Sequence, residues 1–324
     1  MIATWGKRLG RCAAWAFAGM FAFVAVLRFG GFDAWYPAVQ LIAFTPYLVL
    51  VALAGVLVLG LLRKWPELAV TVVSAVVLAT CVAPRALADA DPLAGATGPN
   101  LRVASANLLV GGADPARIVA NVREQRVDVL AVQEMTPGWL AAAEAAGLGD
   151  VLPQRFVAPA SLAEGSAIFS RYPLSDAGSQ LMALGWFQQV HATVTVSGVT
   201  VRIESAHPAS PYGGEMTQYW RTTLRKEPLA TPNGPVQVLM GDFNATLDHG
   251  LLRDVIDSGY RDAASVVGQG LVGTWGPYNG DPVPPVAIDH VLADRRIGVR
   301  SFDAYTVVGS DHRMIVAELV LPAH

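Results

Sequence analysis

The feature that most constrains this sequence is a series of three long apolar runs in its first 85 residues. This part of the chain contains only nine of the 49 charged residues. The runs cover residues 12–27, 38–62 and 68–83. A helix needs about 20 apolar residues to cross a bilayer, and a cleaved signal peptide would explain only the first run. The sequence therefore predicts a transmembrane region at residues 1–85 with about three spans; three buried helices of a soluble domain are the alternative.

The basic residues predict the orientation of these spans. Lys7, Arg8, Arg11, Arg63 and Lys64 lie on one side of the spans, and Arg28 and Arg85 lie near them on the other. Because cytoplasmic loops carry the excess of basic residues, we expect the N-terminus in the cytoplasm. An odd number of spans then makes the rest of this cell-membrane protein extracytoplasmic. Residues 86–99 are small, acidic and rich in proline and glycine, which is typical of a linker.

Residues 100–324 show the pattern of an α/β domain. Apolar, β-branched runs predict strands at residues 101–109, 127–134, 165–171, 190–196, 200–207, 236–242, 287–294, 302–308 and 312–321. Helical spacing of apolar residues predicts helices at residues 114–126, 137–147 and 215–227. Many strands interleaved with a few helices indicate a mixed core of two sheets.

Polar side chains recur where these strands begin or end. They are Asn107, Glu134, His207, Asp242, Asn244, Asp289, Asp311 and His312. One such residue is an ordinary turn former, but six clusters at strand ends indicate a site at one edge of the sheets. Glu134 and Asn107 offer hard oxygen ligands, which suit Mg²⁺ or Mn²⁺ better than zinc. No His or Cys spacing in the chain is typical of a zinc site.

The remaining groups suit phosphoester hydrolysis. Asp242 can take a proton from water, and Asn244 faces the same side because side chains of a strand alternate. His207 and His312 can contact phosphoryl oxygens. A metal, a base, an amide and two histidines are the parts of a hydrolytic phosphoester site.

The order of the motifs SANL, QE, AIFSRYPL, SAHP, GDFN, IDHV and GSDH resembles the endonuclease/exonuclease/phosphatase superfamily. That superfamily includes deoxyribonuclease I, apurinic endonucleases, neutral sphingomyelinases and inositol polyphosphate phosphatases. The resemblance covers essentially all of residues 100–324. It implies a four-layer α/β sandwich of two packed mixed β-sheets flanked by helices. This domain would follow the three-helix transmembrane region that the apolar runs predict. It also implies a divalent metal, usually Mg²⁺, with Mn²⁺ possible.

The resemblance assigns roles on the metal side of the site. Glu134 resembles the metal-binding glutamate of the superfamily, and Asn107 contacts metal or phosphate beside it. Asp311 is expected near the metal. Ala287 and Ile288 depart from the pattern, because many membrane-attached members have arginine before the aspartate of IDHV. Whether a basic substrate contact is lost stays open.

The resemblance also assigns the groups that handle water and phosphate. Asp242 matches the aspartate that orients or deprotonates the attacking water, and Asn244 matches the asparagine that holds the phosphoryl group or nucleophile. His312, paired with Asp289, resembles the histidine that binds the scissile phosphate. His207 matches a second histidine that can protonate the leaving oxygen.

The sequence therefore predicts a membrane-anchored, Mg²⁺-dependent phosphoric ester hydrolase that acts on a phosphodiester or a phosphomonoester. A lipid head group and nucleic acid are both open as substrates. From residue 86 onward the chain has 16 basic and 24 acidic residues, a net charge of −8, which is atypical of proteins that grip long nucleic acids. An extracellular nuclease acting on DNA or RNA is the alternative, and a non-catalytic membrane receptor with the same fold is a third reading.

Overall fold

The structure is a computed structural model that describes residues 2–89, 93, 95–182, 186–280 and 282–323. Part of the predicted linker at residues 86–99 and the last residue of the predicted domain, His324, lie outside the described residues. The N-terminal region consists of four helices: α1 (Ile2–Gly30), α2 (Ala38–Ala43), α3 (Thr45–Leu61) and α4 (Trp65–Val82). A short 3-10 helix, Ala83–Ala86, follows α4 and leads toward the remaining domain.

The second apolar run does not form the single long helix that we expected. It divides at Phe44 into α2 and α3, because Pro46 in the first turn of α3 lacks an N–H for a continuing helix. The 17 residues of α3 rise only ~26 Å, less than the ~30 Å of a bilayer core. Among the described residues, two helices, Arg8–Gly30 and Trp65–Ala86, are long and apolar enough to cross a membrane. The prediction of three spans of full length is therefore wrong for the second run.

The three long helices pack side by side around a small apolar core. That core includes Phe21, Val24, Val49, Ala52 and Leu78. Most of the apolar surface of these helices still faces outward, since only 39% of the Arg8–Gly30 window and 33% of the Trp65–Ala86 window are buried. The outward faces of these helices form one exposed apolar surface. This surface is much larger than the small apolar patches that soluble proteins usually expose.

Two six-stranded mixed sheets form the centre of the larger domain. The first has the strand order β11 (Gly298–Thr306), β12 (Arg313–Val320), β1 (Asn100–Asn107), β2 (Val129–Gln133), β4 (Ser166–Ser170), β3 (Gln154–Ala158). The second has the order β5 (Leu174–Met182), β6 (Phe187–Val196), β7 (Val199–Ala206), β8 (Val236–Asp242), β10 (Asp289–Asp294), β9 (Tyr260–Asp262). The sheets pack face to face over a shared core of mainly valine, isoleucine and alanine side chains.

Helices cover the outer face of each sheet. The domain's helices are α5 (Pro115–Glu124), α6 (Pro137–Ala145), α7 (Leu148–Val151), α8 (Gly214–Leu224), α9 (Gly250–Asp257) and α10 (Ala263–Val266). α5 and α6 pack on the first sheet, whereas α8 and α9 pack on the second. Two packed mixed sheets flanked by helices confirm the predicted α/β sandwich.

The topology brings six strand ends to one edge of the sandwich. β1 runs parallel to β2 and antiparallel to β12 in the first sheet. In the second sheet β7 runs parallel to β8, and β10 runs antiparallel to β8. The carboxyl ends of four strands and the amino ends of two therefore point the same way, which is where the predicted site residues lie in the sequence.

A buried ion pair joins the N-terminal helices to the larger domain. Arg28 near the end of α1 and Arg85 after α4 both donate to the carboxylate of Asp248, with nitrogen–oxygen distances of 2.5 Å and 2.6 Å. All three side chains are almost fully buried. Burial acts to raise the pKa of Asp248, but the two guanidinium groups outweigh it, and the pKa lies below its usual value.

Candidate active site

The centre of the site is a contact between the ends of the two sheets. The Asn107 Nδ2 atom, at the end of β1, donates to Glu134 Oε1 at 3.1 Å and to Asp242 Oδ2 at 3.0 Å. Glu134 follows β2 directly, and its second oxygen, Oε2, accepts from the backbone N–H of Val110 at 2.8 Å. One amide therefore holds two carboxylates from different sheets close together.

His312 faces the same centre from the start of β12. Its Nε2 atom lies 3.7 Å from Asp242 Oδ2, and its Nδ1 atom lies 3.0 Å from Asp289 Oδ2. Thr274 donates its hydroxyl to the same Asp289 oxygen at 2.7 Å. Ser310 accepts from the backbone N–H of His312 at 3.0 Å. Neither Thr274 nor Ser310 was predicted as a site residue: Ser310 lies within the GSDH motif but was not singled out there, and nothing in the sequence context of Thr274 distinguishes it from an ordinary loop residue.

His207 completes the ring of polar groups at the end of β7. Its Nε2 atom is 3.8 Å from Glu134 Oε1 and 3.9 Å from Asp242 Oδ2. Its other nitrogen, Nδ1, is buried and has no hydrogen-bond partner. An unpartnered Nδ1 favours the tautomer that carries the proton on Nε2, so the N–H points at the two carboxylates.

The turn after β8 is shaped by a close approach of two strands. Gly241 has φ of 155°, and a Cβ added there would lie 2.0 Å from the carbonyl oxygen of Ala206 in β7. Asn244 also has positive φ, at 48°, and its backbone N–H donates to Asp242 Oδ1 at 2.8 Å. Its side chain donates to the carbonyl of Pro208 at 3.0 Å. These bonds fix Asp242 and Asn244 against the end of β7.

Strained backbone accumulates around the same centre. Of the eight non-glycine residues with positive φ in the described part of the chain, four belong to the loops at the site: Leu109, Val110, Glu134 and Asn244. Such conformations persist only where surrounding contacts hold them, and they are common at functional sites. The unfavourable backbone conformations of these loops therefore help to position the side chains of the site.

The donor set fits a hard divalent cation. Glu134 and Asp242 supply carboxylate oxygen atoms within one cluster, and the Asp311 Oδ1 atom is buried without a hydrogen-bond partner. The Asn107 Oδ1 atom accepts from the backbone N–H of Leu109 at 3.0 Å. The other Asp311 oxygen accepts from the indole of Trp275 at 2.9 Å. A second group whose ligand atoms all lie within 4.8 Å of one another consists of Asp242, Asp289 and His312. Oxygen-rich donors of this kind suit Mg²⁺ or Mn²⁺.

The surroundings of His207 and His312 shift the pKa values of these two histidines in opposite directions. Burial lowers the pKa of His207 and outweighs the nearby Glu134, so its imidazole is neutral at pH 7. Burial also acts to lower the pKa of His312, but the carboxylates of Asp289 and Asp242 outweigh it and raise the pKa to about 10. Burial raises the pKa of Asp242 to about 7, against the opposing effect of His312. His312 therefore carries a positive charge at pH 7, and it lies beside Asp242, whose pKa of about 7 lets that carboxyl group gain or lose a proton near neutral pH.

All eight predicted site residues lie together in this cluster. They line or adjoin a cleft of about 690 Å³ at the edge of the sandwich. Two other histidines have structural partners: His290 Nδ1 lies 2.9 Å from Asp262 Oδ2, and His249 Nε2 lies 2.7 Å from the carbonyl of Val39 in α2. Among the nearby aromatic residues, Trp220 is fully buried and Trp275 lines the cleft.

Comparison with known proteins identifies relatives of the larger domain. The model of the Endonuclease/Exonuclease/phosphatase family matches residues 104–312. No protein with a curated description matches this chain in sequence.

Three solved structures illustrate the shared fold. An endonuclease/exonuclease/phosphatase from Beutenbergia cavernae has 19% sequence identity and a TM-score of 0.56, over 69% of this chain and 72% of that one. A humanized TDP2 of D. rerio has 17% identity and a TM-score of 0.55, over 68% and 98%. Sphingomyelinase C from Streptomyces griseocarneus has 16% identity and a TM-score of 0.50, over 68% and 99%.

Proposed function

The chain belongs to the Endonuclease/Exonuclease/phosphatase family, and we propose that it is a membrane-anchored, Mg²⁺-dependent phosphoesterase. It hydrolyses a phosphodiester or a phosphomonoester by attack of water on phosphorus. One observation carries the proposal: the Asn107 amide joins Glu134 and Asp242 at the point where His207 and His312 converge. That arrangement supports the proposal, because it brings carboxylates that could bind a metal, a candidate base and two histidines together at one point.

The protein groups have distinct tasks in this reaction. Asp242 accepts a proton from the attacking water, and a pKa of about 7 suits a base at neutral pH. His312 stays protonated and donates a hydrogen bond to a phosphoryl oxygen, with Asp289 holding its imidazole in place. Asn244 orients the water or the phosphoryl group. His207, being neutral, donates a hydrogen bond from its Nε2–H to the leaving oxygen, which takes its proton from solvent water.

Glu134, Asn107 and Asp311 would hold the metal ion. A bound divalent cation withdraws charge from the phosphoryl oxygens as the transition state forms. The buried, unpartnered oxygen of Asp311 supports this assignment, since a metal would satisfy it. Mg²⁺ is the proposed ion, and Mn²⁺ fits the same donors.

Several features support anchoring in a membrane. Two helices have the length and composition of spans, and most of their apolar surface faces outward. Exposed aromatic side chains mark both ends of this region: Trp5 and Trp65 at one end, and Phe29, Phe32, Trp35 and Tyr36 at the other. Aromatic residues of this kind concentrate at the two bilayer surfaces. We propose that α3, whose 17 residues are at the lower limit for a span, also crosses the bilayer. Three crossings then place the N-terminus in the cytoplasm and the catalytic domain outside it.

A phosphoester panel tests the proposed activity. The purified full chain is assayed with Mg²⁺, Mn²⁺ or Ca²⁺ on soluble diesters, soluble monoesters, lipid vesicles and single-stranded DNA. We expect metal-dependent hydrolysis that Asp242→Ala lowers 10²–10⁴-fold, the usual effect of removing a general base. Asp254→Ala, which removes an exposed carboxylate of α9, serves as the matched control. Hydrolysis of none of these esters, or an unchanged rate in Asp242→Ala, would contradict the proposal.

A further inference from the structure

The cleft at the candidate active site has one polar side and one apolar side. The polar side is the cluster around Asp242. The opposite side is lined by Val39, Gln40, Ala43 and Phe44, which belong to α2 and its C-terminal cap. This helix lies outside residues 104–312, the part that the family model matches. The N-terminal region of this chain therefore supplies a wall that the family pattern does not contain.

The wall is fixed to the loop that follows Asp242. The Val39 carbonyl lies 2.7 Å from His249 Nε2, and both oxygens of Asp33 accept from the backbone N–H of Gly250. On the other side, the Tyr47 hydroxyl donates to the carbonyl of Pro285 at 2.6 Å. Together with the ion pair at Asp248, these contacts hold α2 rigidly beside the catalytic cluster.

The chemistry of the cleft disfavours a polynucleotide. Among the described residues that line it, none is lysine or arginine. A strand of DNA or RNA presents a phosphate at every nucleotide, and proteins neutralise these phosphates with several basic side chains. This cleft instead offers one polar cluster, enough for a single phosphoester, beside a wall in which Val39, Ala43 and Phe44 are apolar.

The position of the cleft favours an amphiphilic substrate. α2 connects α1 to α3 at the end of the helical region that carries the exposed Phe29, Phe32, Trp35 and Tyr36. Two further exposed aromatics, Trp186 and Tyr212, line the mouth of the cleft from the catalytic domain. A molecule resting at the bilayer surface would meet apolar side chains from both regions before it reached Asp242.

We infer that α2 and Phe44 bind the hydrocarbon chain of a lipid phosphoester whose phosphoryl group lies at Asp242 and His312. This assignment rests on the proposed phosphoesterase function and narrows its substrate to a membrane lipid. The substrate stays partly in the bilayer, and its chain lies along Ala43 and Phe44. The helical region is thus part of the substrate site as well as an anchor.

Inhibition by alkyl phosphates of increasing length tests this assignment. The full chain in digitonin micelles, which contain no linear alkyl chain, hydrolyses bis(4-nitrophenyl) phosphate in the presence of ethyl, octyl or dodecyl phosphate. We expect dodecyl phosphate to inhibit at least roughly tenfold more strongly than ethyl phosphate, since each buried methylene adds affinity. Phe44→Ala and Ala43→Glu should remove most of this difference and leave inhibition by ethyl phosphate within about twofold of the wild type.

Leu41→Ala is the matched control, because Leu41 lies on the same helix, is exposed and does not line the cleft. Partition of the alkyl phosphates into micelles affects all variants equally.

Equal inhibition by ethyl and dodecyl phosphate, or the same result for Phe44→Ala and Leu41→Ala, would overturn the lipid assignment and leave the phosphoesterase proposal intact. Efficient cleavage of single-stranded DNA with a steep salt dependence would overturn it in favour of a nuclease. No hydrolysis of any ester in the phosphoester panel with any of the three metals would overturn both proposals.

Discussion

At the residue scale, the site depends on one amide that contacts carboxylates from both sheets. Asn107 and Asp242 are 135 positions apart in the chain, yet their side chains are hydrogen-bonded. The sequence predicted all eight residues because each lies where a recognisable strand begins or ends. It could not predict the contacts of Thr274 or Ser310, since these depend on how loops from distant strands meet. It also gave no reason to separate the charge states of His207 and His312, which burial and neighbouring carboxylates determine.

Glu134 carries the clearest test of the metal site. Glu134→Gln keeps the size of the side chain and removes its charge, so we expect Mg²⁺ affinity to fall roughly 10–100-fold. Calorimetric titration of the full chain with Mg²⁺ and Mn²⁺ measures this directly. Glu124→Gln removes an exposed charge from the end of α5 and should bind metal as the wild type does. Equal Mg²⁺ affinity in wild type and Glu134→Gln would exclude Glu134 as a ligand.

A second buried acidic pair predicts a pH dependence of stability. Gln189 donates to Glu204 at 3.1 Å and to Glu227 at 3.0 Å, and both carboxyl groups are almost fully buried. Burial raises the pKa of Glu204 from 4.5 to about 7 and that of Glu227 well above its usual value. The folded state therefore binds the Glu204 proton more tightly than the unfolded chain does, so the stability from this group is full below pH ~4.5 and is lost as the pH rises through about 7.

Glu204→Gln should remove this loss. At pH 8 we expect the variant to be more stable than the wild type by up to ~3 kcal/mol, and the gain should vanish by pH 4.5. Thermal unfolding followed by tryptophan fluorescence from pH 4.5 to 8 measures it. Glu124→Gln controls for the loss of one negative charge. A difference between wild type and Glu204→Gln that does not change with pH would contradict the raised pKa.

At the scale of the elements, the regular and well-buried segments were the predictable ones. The helix predicted at residues 114–126 is α5, and the Asp114 side chain caps it by accepting from the N–H of Ala116. The strand predicted at residues 236–242 is β8 with the same bounds. β3 and β5 were missed because they are edge strands with largely exposed side chains, which lack the apolar pattern of a buried strand. The division of the second apolar run was missed because composition alone does not reveal the effect of Pro46.

The ion pair at Asp248 should control the docking of the helical region. Asp248→Ala leaves Arg28 and Arg85 buried without their carboxylate, so we expect a loss of ~3–5 kcal/mol of stability. Because the same contact joins α1 and the segment after α4 to the catalytic domain, its loss should loosen the helical region beside the site, and activity should also fall. Thermal unfolding and the rate of soluble diester hydrolysis measure the two effects. Asp254→Ala, on the exposed face of α9, should change neither.

A triple variant separates the charge effect from a general packing defect. Replacing Arg28 and Arg85 by methionine and Asp248 by leucine removes all three charges and keeps most of the volume. Since well-packed apolar residues often substitute for a buried ion pair without a large cost, we expect most of the stability to return. If the triple variant is as unstable as Asp248→Ala, the contact stabilises through packing rather than through charge.

At the scale of the whole molecule, the sequence predicted a helical region and a catalytic domain but treated them as independent. The apolar runs and the strand-end motifs are separate signals, and neither contains information about the other. The structure joins them: α2 adds Val39 to the apolar core under α8 and α9, and the cleft lies partly between the two regions. Such contacts between residues more than 200 positions apart depend on the tertiary arrangement, which no local pattern encodes.

The proposed orientation in the membrane is testable with single cysteines. In a background in which Cys12 and Cys81 are replaced by serine, Ser161→Cys introduces a thiol on an exposed loop of the catalytic domain, and Arg63→Cys introduces one in the exposed turn between α3 and α4. Because basic residues concentrate on the cytoplasmic side, we expect a membrane-impermeant maleimide to label Ser161→Cys in intact cells and to label Arg63→Cys only after lysis. The reverse pattern would place the catalytic domain in the cytoplasm. Labelling of both thiols in intact cells would show that the helices do not separate the two sites across a membrane.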